Sequence, residues 1–555
     1  MRFSMWVALG WMLWVGSTVL GQPDASGDNG GGKPSGKWHD SGQQGAVAGG
    51  GAEAVDIGLA SLKSGGNAAD AAVATILALS VTDARSFCFG GEMAIIVYNA
   101  NDRRVETLWG QGAAPKLATR EMFVTCGIPN SGVRSATVPA ALDACLTLLS
   151  RHGTKTFAEV AAPTVAMLDR HREAWHADLA RTLRRLIDAE KSGGGNREAG
   201  LQRVADYFYR GPLAQEIAAW CAANNGLIRA EDLEAHKTRV VPPVSIDYRG
   251  HTVYKCGPWT QGPWMLEALA LLEGFDLKQM GHNSPDAIHA TVEAMKLGLA
   301  DRDVYYGDPE FVEVPIEQLL SSDYAAMRRP LIDLKHASRE QRPGDPRNGK
   351  ALLDADATRK GLGNPDRDTT TCLVADGKGN VVAATPSGWD GVLVGGTGVW
   401  LGTRLQSFNA WADHPNCIAP GKRPRITLTP TLVMREGKPI LAVSVAGGDG
   451  QDQASLQMVI DAIDFGIAPR EAVTAIRFGT DHFVSSFGQK PPRLGSLLIY
   501  PGADPHTIAE LKSRGHAVDF HEPPMWNPSV LAIDPVSRKI DVAGDPQAGR
   551  HAAAY

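Results

Sequence analysis

Cysteine is scarce in this chain. Seven occur in 555 residues, an odd number at wide spacing (Cys88, Cys126, Cys145, Cys221, Cys256, Cys372 and Cys417), with no CxxC pair. That excludes a disulfide-dense scaffold. No His/Cys cluster has ligand spacing, which excludes a structural zinc site. One or two bridges remain open, and spacing does not choose them. An excess of either charge is also missing. The formal net charge is −6, and neither end carries a long charged tail. There is thus no electrostatic case for nucleic acid or an anionic membrane as a partner. No internal repeat is present. What remains is a composition, 43% hydrophobic, of a globular chain long enough for a large core and more than one ordinary domain.

The N-terminus is the exception to the general lack of apolar runs. Arg2, the apolar residues 6–15 broken only by Gly10, and Val19 and Gly21 before Gln22 form a secretory signal over 1–21. The run is short for a membrane anchor, so no stable span is expected once it is removed, and the product is secreted or periplasmic. Residues 22–45 are Gly/Ser/Asp/Lys-rich and read as a flexible linker, with the fold beginning near Ala46. Gly65-Gly66-Asn67 ends one helix and caps the next, whose apolar residues Ala68, Ala72, Ile76 and Leu79 recur at helical spacing. Ala94-Ile95-Ile96-Val97-Tyr98 is a buried-strand run. Residues 139–335 read as largely helical, with a charged solvated face at 179–191 and a buried helix at 263–272. Strands flank the turn Glu436-Gly437-Lys438. A helix with Leu456, Val459, Ile460 and Ile463 on one face follows Gly447-Gly448-Asp449-Gly450, and the C-terminal part alternates strands with a helix at 505–514. This order fits layered α/β packing.

The stretch Asp368-Thr369-Thr370-Thr371-Cys372-Leu373-Val374-Ala375-Asp376 opens a strand, turns at Gly377-Lys378-Gly379-Asn380 and returns as a strand from Val381. A threonine triplet is more often strand composition than chemistry. A threonine hydroxyl becomes a nucleophile when its own α-amine is the base, which requires the preceding peptide bond to be cut. A free α-amine titrates near pH ~8, so much of it is available around neutrality. Cleavage of Asp368–Thr369 would expose such a terminus. Gly447-Gly448, between a strand end and a helix start, offers free N–H groups for an oxyanion, although a glycine pair there is more often only a turn. Thr385 and Ser387 could orient the nucleophile, or belong to a solvated loop.

Taken in order, several blocks resemble the γ-glutamyltranspeptidase family of N-terminal nucleophile hydrolases. They are Gly65-Gly66-Asn67-Ala68-Ala69-Asp70-Ala71-Ala72-Val73-Ala74, Leu272-Glu273-Gly274-Phe275-Asp276-Leu277, Glu293-Ala294-Met295 with Ala300-Asp301-Arg302 and Gly307-Asp308-Pro309, Asp368-Thr369-Thr370, Pro420-Gly421-Lys422-Arg423-Pro424 with Thr429-Pro430-Thr431, and Gly447-Gly448. The resemblance covers nearly all of 46–555. It implies a four-layer αββα sandwich made as one precursor, which cuts itself into a large subunit, 46–368, and a small subunit, 369–555, that stay together. It places Thr369 as nucleophile, Gly447 and Gly448 as oxyanion glycines, and Ser387 as the second hydroxyl that steadies the nucleophile. No metal or organic cofactor is implied.

The departures concern substrate. Gln111 precedes Ala114-Pro115 where the family has an arginine for the γ-glutamyl carboxylate. Ser407 precedes Phe408 where the family has an aspartate for the α-amine. Ile426 and Thr427 replace the paired serines. Such counter-charges contribute roughly 2–5 kcal/mol each when buried. Arg404 could instead hold an anionic group on another acyl chain, or form a structural ion pair. The expected substrate is a small-molecule amide other than a standard γ-glutamyl compound. A true γ-glutamyltransferase acting on glutathione is the alternative. A non-catalytic binding protein that stays uncut is a third possibility, which the retained Asp368-Thr369 and Gly447-Gly448 argue against.

Overall fold

Strands that are apolar at every position need cover on both faces. The computed structural model describes residues 37–354, 369–388 and 391–555, and it supplies that cover. Its main strands, in chain order, are β1 (His39–Gly42), β2 (Gly45–Gly49), β3 (Glu92–Asn99), β4 (Arg104–Gly110), β5 (Arg239–Val241), β6 (Val244–Tyr248), β7 (His251–Lys255), β8 (Cys372–Asp376), β9 (Val381–Ser387), β10 (Thr431–Arg435), β11 (Lys438–Ala446), β12 (Asn527–Ile533), β13 (Ile540–Gly544) and β14 (His551–Ala554). They form two seven-stranded antiparallel sheets, ordered β1-β13-β12-β11-β10-β7-β6 and β14-β2-β8-β9-β3-β4-β5.

Period-two alternation sorts each strand's residues between two layers. Leu373 and Ala375 of β8, Ala383 of β9 and Ala94 and Ile96 of β3 meet Leu432, Met434, Ala442, Leu531 and Val542 of the other sheet. The intervening residues Val374, Val382, Ala384, Ile95 and Val97 face helices α1 (Ala52–Lys63) and α2 (Ala68–Thr82) and their neighbours. On the far side, Val433, Leu441, Val443 and Val530 face α3 (Pro263–Leu272), α4 (Pro285–Tyr305) and α5 (Gln451–Ile463). The result is helix, sheet, sheet, helix.

α2 begins where its capping box sets it. Asn67 Oδ1 accepts from the Ala69 and Asp70 N–H groups at 3.0 and 3.1 Å, and Asp70 returns a carboxylate to the Asn67 N–H at 2.9 Å. The Ala68 N–H is taken by Asp376 Oδ2 at 3.0 Å, so the end of β8 is pinned to the start of α2.

The ordered fold starts earlier than the linker expectation of 22–45 allows. β1 lies inside that stretch and pairs His39 with Ala543 through to Gly42 with Ile540. His-Asp-Ser-Gly has no apolar periodicity because β1 is a short edge strand whose regularity comes from its partner. The stretch expected to be largely helical also contains β5, β6 and β7. The last two join through Arg249 and Gly250, both at positive φ, a hairpin turn that the pattern of apolar residues does not announce. The charged 179–191 stretch belongs to an amphipathic helix, His176–Lys191, with Leu179, Leu183 and Leu186 buried beneath the solvated face. None of the seven cysteines is in a disulfide, and no helix of the described residues is long and apolar enough to cross a membrane. Residues 1–21 and Asp368 lie outside the described residues.

Candidate active site

β8 and β11 are inner strands of their sheets, and Thr369 and Gly447 lie just beyond their neighbouring ends. Between the sheets the layer changes character here from apolar to hydroxylic. Thr371 Oγ1 meets Ser529 Oγ at 2.8 Å, and Thr385 Oγ1 meets Ser444 Oγ at 3.0 Å. These bonds satisfy buried hydroxyls and lock the two sheets together beside the site.

Thr369 is buried, at 1% exposure, in the wall of a cleft of about 1380 Å³ that Gly447 also lines. Its φ is +104°, a region that β-branched residues rarely occupy, so backbone strain sits at the first residue after the expected cut. The residues that follow are firmly held. The Thr370 N–H donates to Pro386 O at 2.9 Å. Arg550 donates to Thr369 O at 3.1 Å and to Asp83 at 2.7 Å.

Gly447 (φ +132°) and Gly448 (φ +57°) make a turn open to glycine alone without strain. A Cβ on Gly447 would also come within 2.7 Å of the Trp526 ring. The turn is braced from behind. Asp449 takes a charge-assisted bond from Arg302 at 2.6 Å and accepts from the Ser486 N–H at 2.8 Å, and Gln261 donates to Gly448 O at 3.4 Å. Burial disfavours a charged Arg302, but Asp303 and Asp449 overcome it and raise its pKa, so the guanidinium stays charged.

Gln451, the first residue of α5, joins the two halves. With its amide oriented to satisfy both ends, its oxygen accepts from Thr369 Oγ1 and from the Gly448 N–H, each at 3.3 Å. Its nitrogen then donates to Val445 O at 2.8 Å and Thr427 O at 3.3 Å. The candidate nucleophile and one candidate oxyanion donor thus share one partner. Thr427 is buried and serves this network.

Ser387, at the end of β9, stands opposite Glu92 in the β9–β3 ladder. Arg404 Nη2 donates to Ser387 Oγ at 2.5 Å, and its Nε is ion-paired with Glu92. Gln111 lies elsewhere. It accepts from Trp109 Nε1 at 2.8 Å and donates to Pro424 O, so both ends of its amide are used in the core. Ser407 lines a separate cavity of about 20 Å³ with Asp303, Arg425 and Ser486. The structure thus sets Thr369 and Gly447 in the cleft wall, joins Thr369, Gly448 and Thr427 through Gln451, and pairs Ser387 with Arg404 next to the cleft-lining Gly388, while Gln111 and Ser407 take part in neither arrangement. Trp175, His176, Trp400 and Trp526 add to the cleft wall. Burial pushes the His176 ring below its usual pKa, which favours the neutral form.

Several residues here escaped the reading of the sequence: Gln451, Arg550, Glu92 and the Arg302–Asp449 brace. Glu92 carried a weak signal, a lone acid opening an otherwise apolar strand. Among the described residues no group of three His, Cys, Asp or Glu side chains is placed to hold a metal ion.

Two face-to-face antiparallel sheets between helical layers are the architecture of the N-terminal nucleophile hydrolases. The model of the family described as gamma-glutamyltranspeptidase matches residues 54–171 and 171–555, and the chain belongs to that family. It is 32% identical over 532 residues to a glutathione hydrolase proenzyme of Escherichia coli (strain K12), covering 86% of this chain and 87% of that one. It is 30% identical over 501 residues to the acylase ACY 1 proenzyme of Pseudomonas sp. (strain SE83), covering 82% and 84%. The structure superposes on a crystal structure of cephalosporin acylase from Bacillus halodurans with a TM-score of 0.78 and 27% identity, covering 97% of this chain and 99% of the other.

Proposed function

We propose that this chain is a secreted or periplasmic, self-processing amidohydrolase or acyltransferase. Scission of Asp368–Thr369 makes Thr369 an N-terminal nucleophile acting on an amide other than a standard γ-glutamyl compound. The observation that carries this reading is the shared Gln451 partner, which puts the Thr369 hydroxyl and the Gly448 N–H in one hydrogen-bonded group. In the mature enzyme Thr369 Oγ1 attacks the amide carbonyl and its own α-amine takes the proton. The developing oxyanion is stabilised by Gly447 and Gly448 N–H groups, and the amine leaves with the proton. Water or a second amine then releases the acyl group. The strained φ at Thr369 favours the first, intramolecular cut, because scission removes the constraint.

The reading of the substrate rests on the three positions where the family recognises an amino-acid head group, none of which lines the cleft, and on the cleft wall itself. Gln111 is neutral and committed to Trp109 and Pro424, Ser407 brings no charge, and Arg404 is engaged by Glu92 and Ser387. A buried pair of counter-charges for an amino-acid head group is therefore missing from the positions where the family carries it. Trp175, Trp400 and Trp526 give the cleft flat apolar faces suited to a larger acyl or amine portion, beside the charged groups Glu53, Asp83, Arg85, Arg172 and Glu173 that also line it. The glutathione hydrolase relatives favour the second reading, a true γ-glutamyltransferase.

Intact mass and N-terminal sequencing of purified protein test the first claim, with two chains expected and Thr369 first in the smaller. A chain that stays whole while turning over substrate removes the mechanism. A panel of anilides tests the second. Turnover of γ-glutamyl anilide at micromolar KM, faster than simple or bulky acyl anilides, would establish the alternative.

A further inference from the structure

Gln451 is 1% exposed and sits at the seam between the Thr369 strand and the Gly448 turn. The two carbonyls Val445 O at 2.8 Å and Thr427 O at 3.3 Å and the Gly448 N–H assign the amide orientation, with nitrogen toward the carbonyls and oxygen toward the N–H. That oxygen accepts from the Gly448 N–H at 3.3 Å, the same N–H that an incoming carbonyl oxygen would need. It also accepts from Thr369 Oγ1 at 3.3 Å. Building on the proposal that Thr369 is the nucleophile, we infer that Gln451 is a positioning residue whose carboxamide oxygen stands in for the substrate carbonyl until substrate binds.

The role follows from two requirements. A buried N–H without a partner is costly, so an oxyanion donor awaiting substrate needs a temporary acceptor or it turns away. A hydroxyl nucleophile needs its rotamer fixed beside that donor, since small misplacements are expensive in rate. A neutral amide oxygen meets both needs and is weak enough to be displaced from Gly448 by a carbonyl that acquires negative charge as Thr369 attacks. The nitrogen anchors stay in place during the exchange, so the side chain does not have to leave its site.

This arrangement makes two substitutions move KM in opposite directions. Gln451→Leu removes the competing acceptor. The Gly448 N–H is then free for substrate, so KM should fall about fivefold, the effect of one hydrogen bond, while kcat falls about tenfold or more because Thr369 Oγ1 loses its register. Gln451→Glu keeps the shape; its ionised form gives Gly448 a charged acceptor, which bonds an N–H about twice as strongly, and sets its other oxygen against Val445 O and Thr427 O, a clash that protonation relieves. KM should rise and the oxyanion should be opposed, with activity recovering as the carboxyl is protonated at lower pH. A purely structural role would lower Tm in both variants without splitting KM.

Hydrogen exchange on the uncut Thr369→Ala protein gives an arm that needs neither scission nor turnover. Gln451→Leu in that background should speed exchange at Gly448 about tenfold and leave the strands unchanged. Unchanged exchange at Gly448, or KM moving the same way in both variants, would overturn the inference. If the wild-type protein proves uncut and inactive, the functional reading fails while the exchange arm still reports on Gln451.

Discussion

Replacing Arg404 with methionine separates two roles that the guanidinium could play. Its side chain and that of Glu92 are each 4% exposed, so the pair is out of water on both sides. Glu92 and Ser387 are directly opposed on β3 and β9, and one guanidinium reaches both. Truncating one partner of a buried pair leaves an uncompensated charge and costs about 3–5 kcal/mol, whereas replacing both partners with apolar groups is often near neutral. Arg404→Met should therefore destabilise the fold by about 3–5 kcal/mol, and Arg404→Met with Glu92→Leu should recover part of that loss, since Arg404 also bonds Ser387 and both residues interact beyond the pair. The measurement is guanidinium chloride unfolding in the Thr369→Ala background, where the chain should stay uncut and subunit dissociation should not enter. A loss below about 1 kcal/mol in the single variant, joined to a large rise in KM when Thr369 is intact, would refute the reasoning and assign Arg404 to the substrate.

Two further outcomes follow from the same geometry. Gly447→Ala puts a Cβ at φ +132° and 2.7 Å from Trp526, so the turn must move. Activity should fall about 10²–10³-fold, as for loss of an oxyanion donor, with uncut precursor accumulating on denaturing gels. Burial, reinforced by Lys296, lowers the pKa of His482 from its usual value to about 3. Its folded value lies below the unfolded value of ~6.5, so its stabilising contribution is complete above pH ~6.5 and is lost as pH falls toward the folded value. Between pH ~6.5 and ~5, where carboxylates stay ionised, the stability of His482→Gln should vary less with pH than wild type, by up to about 1.4 kcal/mol per pH unit in unfolding titrations.

What could be read from the chain was what local pattern enforces. Leu373-Val374-Ala375 is a strand buried on both faces and reads so, and Asn67 with Asp70 writes a helix start into four residues. The turn at Gly447-Gly448 shows itself because only glycine tolerates those angles. The features that stayed hidden join distant segments. Arg302 and Asp449 are 147 residues apart, and Arg404 and Glu92 are 312 apart, with no periodicity to connect either pair. The Ala114-Pro115 pair aligns Gln111 with the family's carboxylate-binding arginine, a substrate-facing position. The Gln111 side chain instead closes a gap between Trp109 and Pro424, a choice made by tertiary packing. β1 went unseen because an edge strand can be polar throughout when its partner β13 supplies the ladder.

A chain end in the middle of a sheet is ordinarily a weakness, since termini fray and an inner strand has neighbours on both sides to lose. Here the small subunit would begin three residues before β8, which lies between β2 and β9. The contacts of those three residues show why the cut is tolerable. The Thr369 carbonyl is held by Arg550 at 3.1 Å, the Thr370 N–H by Pro386 at 2.9 Å and the Thr371 hydroxyl by Ser529 at 2.8 Å. Each bond is made by an atom on the C-terminal side of the scissile peptide, so scission removes none of them. The new α-amine would therefore appear on a residue already fixed beside the Gly448 N–H, and the order needed for catalysis would be present before the bond is broken. The same logic explains why hydroxyl residues crowd this end of the inter-sheet layer. An apolar seam would bury the strands equally well, but it could not anchor a terminus by hydrogen bonds from both sheets.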